Sequence, residues 1–488
     1  MVGSAMILPC RRPRLPVLVM SVLGLVTSSQ AQDPFEGVWM GRVTAPQGEA
    51  EIGFAFKRTP KNLTAAMYMP VMYVYGLNLG PVGEVGSTLT VPPLDTVMNL
   101  AGDKLTGTFA LGRLPMELHR GGVFAPEPPV PAWPAGPAPR WSRSLGAGVW
   151  ASPVARDGVI YLGTVDSRFH AVRGTDGGEE WTWTGSTALY GEALVTEDSV
   201  CFVDARSELV CLSRANGNLR WRSPLHDEKA GDAALENKSF THRTPVPVLA
   251  DGVIYAGSAD GNLYALEAAT GRTLWRHDAG APIYAGVALC GRAALVAGCF
   301  DGTILTLDRR DGAELRRVRI GGPIVSAPVI AGDIAVVGSR DYLLYGVSLS
   351  RAAVAWKYSY WFSWVESTPR LVDGVAYLGA SDFRRVGAFD PATGRPLWLA
   401  DVRGLTWGTP VVTADMVYAG THAQYPAYLH HEAGIVALDR RTGAAKWRVA
   451  LSLPPGAERA GYIGSLALAG DMLIAAGFDG TLAAYPLK

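Results

Sequence analysis

One short phrase recurs along this chain, mostly at intervals of 40 to 42 residues, and it constrains the fold more than any other feature. Ala388 to Trp398 and Ala437 to Trp447 both read A-x-D-x-x-T-G-x-x-x-W. Ala265 to Trp275 carries Glu267 for the Asp, and Ala171 to Trp181 and Cys211 to Trp221 keep the Gly and the Trp. Thr306 to Arg316 ends in Arg316, Gly346 to Trp356 keeps little beyond Trp356, and an eighth copy reaches Ala484-Tyr485-Pro486 without its second half. Repeats of this period belong to solenoids, propellers or arrays.

The stretch before each phrase selects among these. Thr244-Pro245, the run Val253 to Gly257, Asp260-Gly261 and Leu263 to Leu266 alternate short apolar segments with Asp-Gly turn signals. Such segments are short antiparallel strands joined by tight turns, four to a unit. Four-stranded units at this spacing are propeller blades, so the fold class is all-β, an eight-bladed β-propeller over residues 139–488. The eighth unit lacks its fourth strand, and Pro139 to Leu145, with Trp141, has the look of one. Completing the last blade with the first strand closes the ring and hides two open edges. Trp141, Trp181, Trp221, Trp275, Trp356, Trp398 and Trp447 are expected to fill the gaps between blades. Full burial of one indole is worth roughly 4–6 kcal/mol as an upper figure. Gly394 and Gly443 supply the reversal before the fourth strand.

The rest of the chain divides around this ring. Arg11, Arg12 and Arg14, apolar Leu15 to Val26 and small residues near Ala31 read as a signal peptide over residues 1–31. Cys10 lies in no lipidation context, so a soluble periplasmic or secreted protein is expected, without a membrane span. Net charge is zero, which argues against nucleic acid as a partner. Export permits disulfides. Cys201 and Cys211 stand about equally far from the turn near Arg206 and are placed for a cross-strand bond, with buried free thiols the alternative. Cys290 and Cys299 do not match in this way.

Residues 33–122 do not follow the repeat. Gly37 to Gly41, Glu51 to Lys57, Thr88 to Val91 and Leu105 to Leu111 alternate as strands of a small antiparallel β domain, a barrel or an open sheet. It is read either as a binder of a small apolar ligand or as an accessory folding unit. Ala and Pro dominate the segment that follows, and residues 123–138 are expected to form an extended, semi-rigid linker.

The recurring phrase resembles the tryptophan docking motif of eight-bladed quinoprotein propellers. That superfamily includes dehydrogenases that use pyrroloquinoline quinone (PQQ) and Ca2+, and non-enzymatic relatives such as the propeller of the bacterial outer-membrane protein assembly machine. The resemblance covers about 350 residues. The dehydrogenases carry adjacent cysteines, long blade insertions and a Glu-Asn-Asp calcium set. This chain has no adjacent cysteines and compact blades. It is therefore more similar to the assembly-factor type, which implies no cofactor, with PQQ and Ca2+ as the alternative.

Strand order locates the site. Loops entering the first strand share a face with loops joining the second and third strands. One position there can be followed around the ring: Trp150, Tyr190, Thr244, Tyr284, Val325, Glu366, Trp407 and Gly464. Longer insertions reach the same face, including Tyr358 to Trp364, with Trp361 and Trp364, and His422 to His431. Trp150, Tyr190, Tyr284, Glu366, Trp407, Trp361, Trp364 and His422 are the candidate ligand-binding residues. The aromatics either bind a flat cofactor, a sugar or a peptide segment, or plug the channel. Glu366 with His422, His430 or His431 would form an acid–base pair if the loops converged. The expected function is a monomeric exported scaffold binding an envelope protein, a peptide segment or a small ligand without catalysis. The alternative is a PQQ- or other redox-cofactor-dependent dehydrogenase with calcium at Glu366.

Overall fold

The computed structural model describes residues 33–110, 113–129, 132–226, 244–424, 431–452 and 456–487. The leader, much of the polar insertion after Ser223, and Tyr425 to His430 lie outside them. Among the described residues the chain is all β, apart from two single 3-10 turns at Pro70–Met72 and Pro92–Leu94.

Nine antiparallel strands between Gly37 and Arg120 form one nearly closed sheet. Its first strand, Gly37–Ala45, pairs with both the second, Gly48–Arg58, and the ninth, Leu114–Arg120. The two edges are the consecutive strands Val74–Pro81 and Gly83–Val85. Period-2 alternation puts Trp39, Val43, Ile52 and Phe54 into the interior. Trp39 donates its indole N–H to the Phe35 carbonyl at 2.8 Å, under the Arg120 guanidinium.

Eight sheets of the propeller follow. Seven take their four inner-to-outer strands in chain order. The eighth combines Ala467–Ala469, Met472–Ala476 and Thr481–Pro486 with Trp141–Ser144 from the front of the ring, in the register Trp141↔Ala484 to Ser144↔Thr481. The seventh gains a short extra strand, Arg459–Gly461, which pairs with His422 to Gln424.

The phrase is explained residue by residue. Its small first residue faces the Trp across the third and fourth strands, as in Ala388↔Trp398 and Ala437↔Trp447, and a register shift follows at once. Its Asp accepts the Thr hydroxyl, Thr393 on Asp390 at 2.8 Å and Thr442 on Asp439 at 2.9 Å, tying the turn. Six of the seven Trp residues lie against the turn glycine of the next blade, among them Trp141 on Gly177, Trp356 on Gly394 and Trp398 on Gly443. A Cβ on Gly394 would stand 2.3 Å from the Trp356 ring. The indole N–H then donates to a carbonyl of that same turn, Trp356 to Pro391 and Trp398 to Arg440, each at 2.9 Å. These indoles remain partly exposed, so the burial of each is worth less than the figure for a fully buried one. They lie at the rim between blades, where hydrogen bond and glycine contact fix them.

The expected spacer touches the ring at its end. Gly136 donates to the Arg448 carbonyl at 2.7 Å, and Arg448 donates to the Pro134 carbonyl at 2.9 Å. Gly136 packs on Trp447, the place that a Thr-Gly turn holds against the other indoles. Pro134 and Gly136 of the linker are therefore docked on the seventh blade. Cys201 and Cys211 face each other in register and form a disulfide, while Cys290 and Cys299 are free.

The β domain sits on the loop face of the fifth and sixth blades. Its core is continuous with Val336, Leu344, Tyr360, Trp361, Val365, Phe383 and Phe389 of the ring. Gln47 exchanges two hydrogen bonds with the Ser359 backbone, at 2.9 and 3.0 Å. Arg113 holds Asp341 at 2.9 Å and the Gly321 carbonyl at 2.9 Å.

Candidate functional site

The eight ring positions converge. Trp150, Tyr190, Thr244, Tyr284, Val325, Glu366, Trp407 and Gly464 all line one axial cavity of about 280 Å³. Each stands just before the innermost strand of its blade, so eightfold repetition brings them to one mouth. Trp150 packs edge-on to Tyr190 at 6.1 Å and to Phe478 at 5.4 Å, and Tyr284 to Phe300 at 5.2 Å.

Glu366 is fully buried, and its Oε1 accepts Arg340 Nε at 2.7 Å. The Arg340 guanidinium lies over Trp364 at 4.6 Å and near Phe300 at 5.8 Å. Glu366 is thus paired with an arginine. His422 is buried edge-on between Trp407, at 4.9 Å, and Phe478, at 5.8 Å. His431 lines a different cavity, and His430 lies outside the described residues. The mouth was expected to carry one carboxylate, but it carries two. Glu192, two residues beyond Tyr190, also lines it, together with Arg370. Desolvation pushes the Glu192 carboxyl up against the pull of Arg370.

A second cavity, about 450 Å³, lies between the ring and the β domain. Met67, Met69, Met72, Val74, Leu77, Leu79, Leu94 and Phe109 line it from the domain. Tyr342, Phe362, Trp364, Asp382, His431 and Arg459 line it from the ring. Trp150 and Trp407 line both cavities, so the two adjoin at these indoles. Trp407 is fixed by its N–H to Ser381 Oγ at 3.0 Å, and Arg459 stands 5.1 Å over Trp150. Trp361 lines neither of these two cavities: it is 5 % exposed and packed in the core shared by domain and ring.

Asp382, Glu192, Arg340 and the methionine lobe were missed from the sequence. Asp382 sits in Ser381-Asp382-Phe383-Arg384, where the third, fourth and eighth blades carry the Asp-Gly turns Asp260-Gly261, Asp301-Gly302 and Asp479-Gly480. That departure was the available signal. Met67-x-Met69-x-x-Met72 was another. Among the described residues no three His, Cys, Asp or Glu side chains converge as a metal site. At Glu366 the cation is already the Arg340 guanidinium.

The fold and its repeats define an eight-bladed propeller of the quinoprotein type. A sequence model described as outer membrane protein assembly factor BamB matches residues 132–272, 259–362 and 361–488, and the chain belongs to that family. BamB of Yersinia pestis is 27% identical over 145 residues, which are 29% of this chain and only 36% of that protein's length. Among solved structures, the computationally designed Ika8 protein superposes with a TM-score of 0.58 at 15% identity, over 71% of this chain and 99% of that one. Quinohemoprotein alcohol dehydrogenase from Comamonas testosteroni gives a TM-score of 0.55 at 12% identity, over 72% and 76%. These likenesses establish the fold alone.

Proposed function

We propose that the protein is an exported binding propeller that encloses a small, mainly apolar ligand between its β domain and its ring and does no covalent chemistry on it. One observation carries this reading: the apolar cavity under the domain and the polar channel mouth adjoin at Trp150 and Trp407. Apolar pockets with a few polar groups are the usual form of small-molecule sites. The β domain covers part of the face on which a protein partner would otherwise dock, which favours a small ligand over a peptide segment. An envelope protein partner, as the family's description suggests, would use the surface left open.

The dehydrogenase alternative calls for PQQ and calcium at Glu366. The residues there do not fit that pair. Arg340 supplies the positive charge against Glu366, and Cys290 and Cys299 are not adjacent. Export is supported by the basic and apolar leader and by the Cys201–Cys211 disulfide, which suits an oxidising compartment.

The test is titration with a neutral apolar fluorophore, N-phenyl-1-naphthylamine, followed by its emission and by quenching of the indoles. Filling the methionine lobe with Leu94→Trp should weaken binding about tenfold or more at unchanged secondary structure. If the unaltered protein fails to bind the fluorophore, or if the filled variant binds equally well, the reading falls.

A further inference from the structure

Asp382 is out of place in an apolar lobe. Three carboxylates buried in the ring, Asp341, Glu366 and Asp204, have close partners. Asp341 has Arg113 at 2.9 Å and Tyr345 at 2.5 Å, Glu366 has Arg340, and Asp204 accepts the backbone N–H groups of Arg206 and Glu208, each at 2.9 Å. Asp382 forms no salt bridge to any described residue. Its side chain is held by Ser381, and the charge that acts on it is the like charge of Glu366. Arg459 lines the same cavity but stands over Trp150 and is not among the groups acting on Asp382. The ring lines the lobe with the aromatics Tyr342, Phe362, Trp364 and Trp407, and also with Leu405, Gln424, His431 and Arg459.

A carboxylate lining a cavity beside several aromatic side chains has the chemistry of an ammonium site. The carboxylate gives charge and a hydrogen-bond acceptor, and ring faces attract a desolvated cation. The methionines opposite give a soft apolar surface that adapts to a ligand's shape. We propose that the ligand is an amphiphile bearing a protonated amine, with the amine at Asp382 against the aromatic walls and the apolar body among Met67, Met69 and Met72. This rests on the enclosed-ligand reading above and adds the charge of the ligand. Desolvation and then Glu366 push the Asp382 carboxyl up, and a bound ammonium would reverse that push.

The experiment is isothermal titration of the full chain with octylammonium, octanol and octanoate, probes of equal apolar length and different charge. Octylammonium should bind about tenfold tighter than octanol, a difference of ~1.4 kcal/mol. Asp382→Asn should bring the two within about twofold while octanol affinity stays unchanged. Octanol or octanoate binding as tightly as octylammonium overturns the ammonium site and leaves the enclosed compartment standing. Binding of none of the three overturns both. The unaltered protein decides these outcomes even if the Asn variant does not fold. If that variant is folded by circular dichroism and keeps the amine preference, Asp382 is not the anchor.

Discussion

The pairing of a Trp in one blade with a Gly in the next is a steric rule, and the chain's exceptions obey it. Arg316 stands where the fourth blade should carry its Trp, and Ala352 stands where the fifth should carry its turn Gly. Ala352 keeps the left-handed backbone, with φ at 49°. Its Cβ is tolerated because no indole lies against it. Arg316→Trp alone should therefore clash and destabilise by about 1–2 kcal/mol. Combined with Ala352→Gly it should stabilise, and a double-mutant cycle in guanidinium should show coupling of at least about 1 kcal/mol. Gly394→Ala makes the converse test, with positive φ and the Trp356 ring both against it, and should cost about 2–3 kcal/mol in the same assay. A titration prediction belongs at this scale too. His170 is 2 % exposed, and desolvation depresses its pKa to about 4. The unfolded chain then binds the proton first, so stability is lost as pH falls from about 6.5 to 4, by up to about 3 kcal/mol. His170→Gln should remove that slope. The comparison isolates it, because Asp204, pushed up to about 6 by burial, titrates over an overlapping interval with the opposite sign.

At the scale of the element, strands read from alternation and turns were legible because each blade repeats one local pattern eight times. Closure by Trp141–Ser144 was legible for the same reason, as a strand missing at one end and spare at the other. The linker was not. Its Pro and Ala content describes an extended chain, but composition does not tell which surface an extended chain lies on. Gly136, five residues before Trp141, was the trace of the docking turn. A chain beginning at residue 146 would lose both the closing strand and this contact on Trp447. Its last sheet would expose the ladder of Thr481–Pro486. Association through that edge is the expected outcome, visible as dimers or larger species on size exclusion where the full chain elutes as one. A well-behaved monomer would mean that the closing strand is dispensable.

At the scale of the molecule, the relation between the two β units was the least legible part. The ring positions around the axial cavity follow from the repeat, since one register places all eight. Asp382, Arg340 and the methionine lobe become a site only when a non-repeating domain is set on two particular blades, and no local pattern encodes that placement. Trp361 shows the consequence. An aromatic loop looks like a binding surface in sequence, and here it is the floor on which the β domain rests. The polar part of that contact is small enough to test. Gln47 contributes two hydrogen bonds to Ser359, worth about 1 kcal/mol each, and Arg113 neutralises an Asp341 carboxylate that is 1% exposed. Arg113 is itself 38% exposed, so its pair is worth less than a buried one, about 1–2 kcal/mol. Gln47→Ala with Arg113→Ala should then loosen the domain by about 3 kcal/mol, raising the fraction of open molecules about a hundredfold. Hydrogen exchange should quicken in Leu63–Met69, Val74–Pro81 and Ala353–Ser359 and stay unchanged in Ser199–Val203 and Glu208–Ser213 of the second blade. An equal loss of protection in the second blade would mean that roof and ring unfold as one body, and that ligand entry does not pass through their separation.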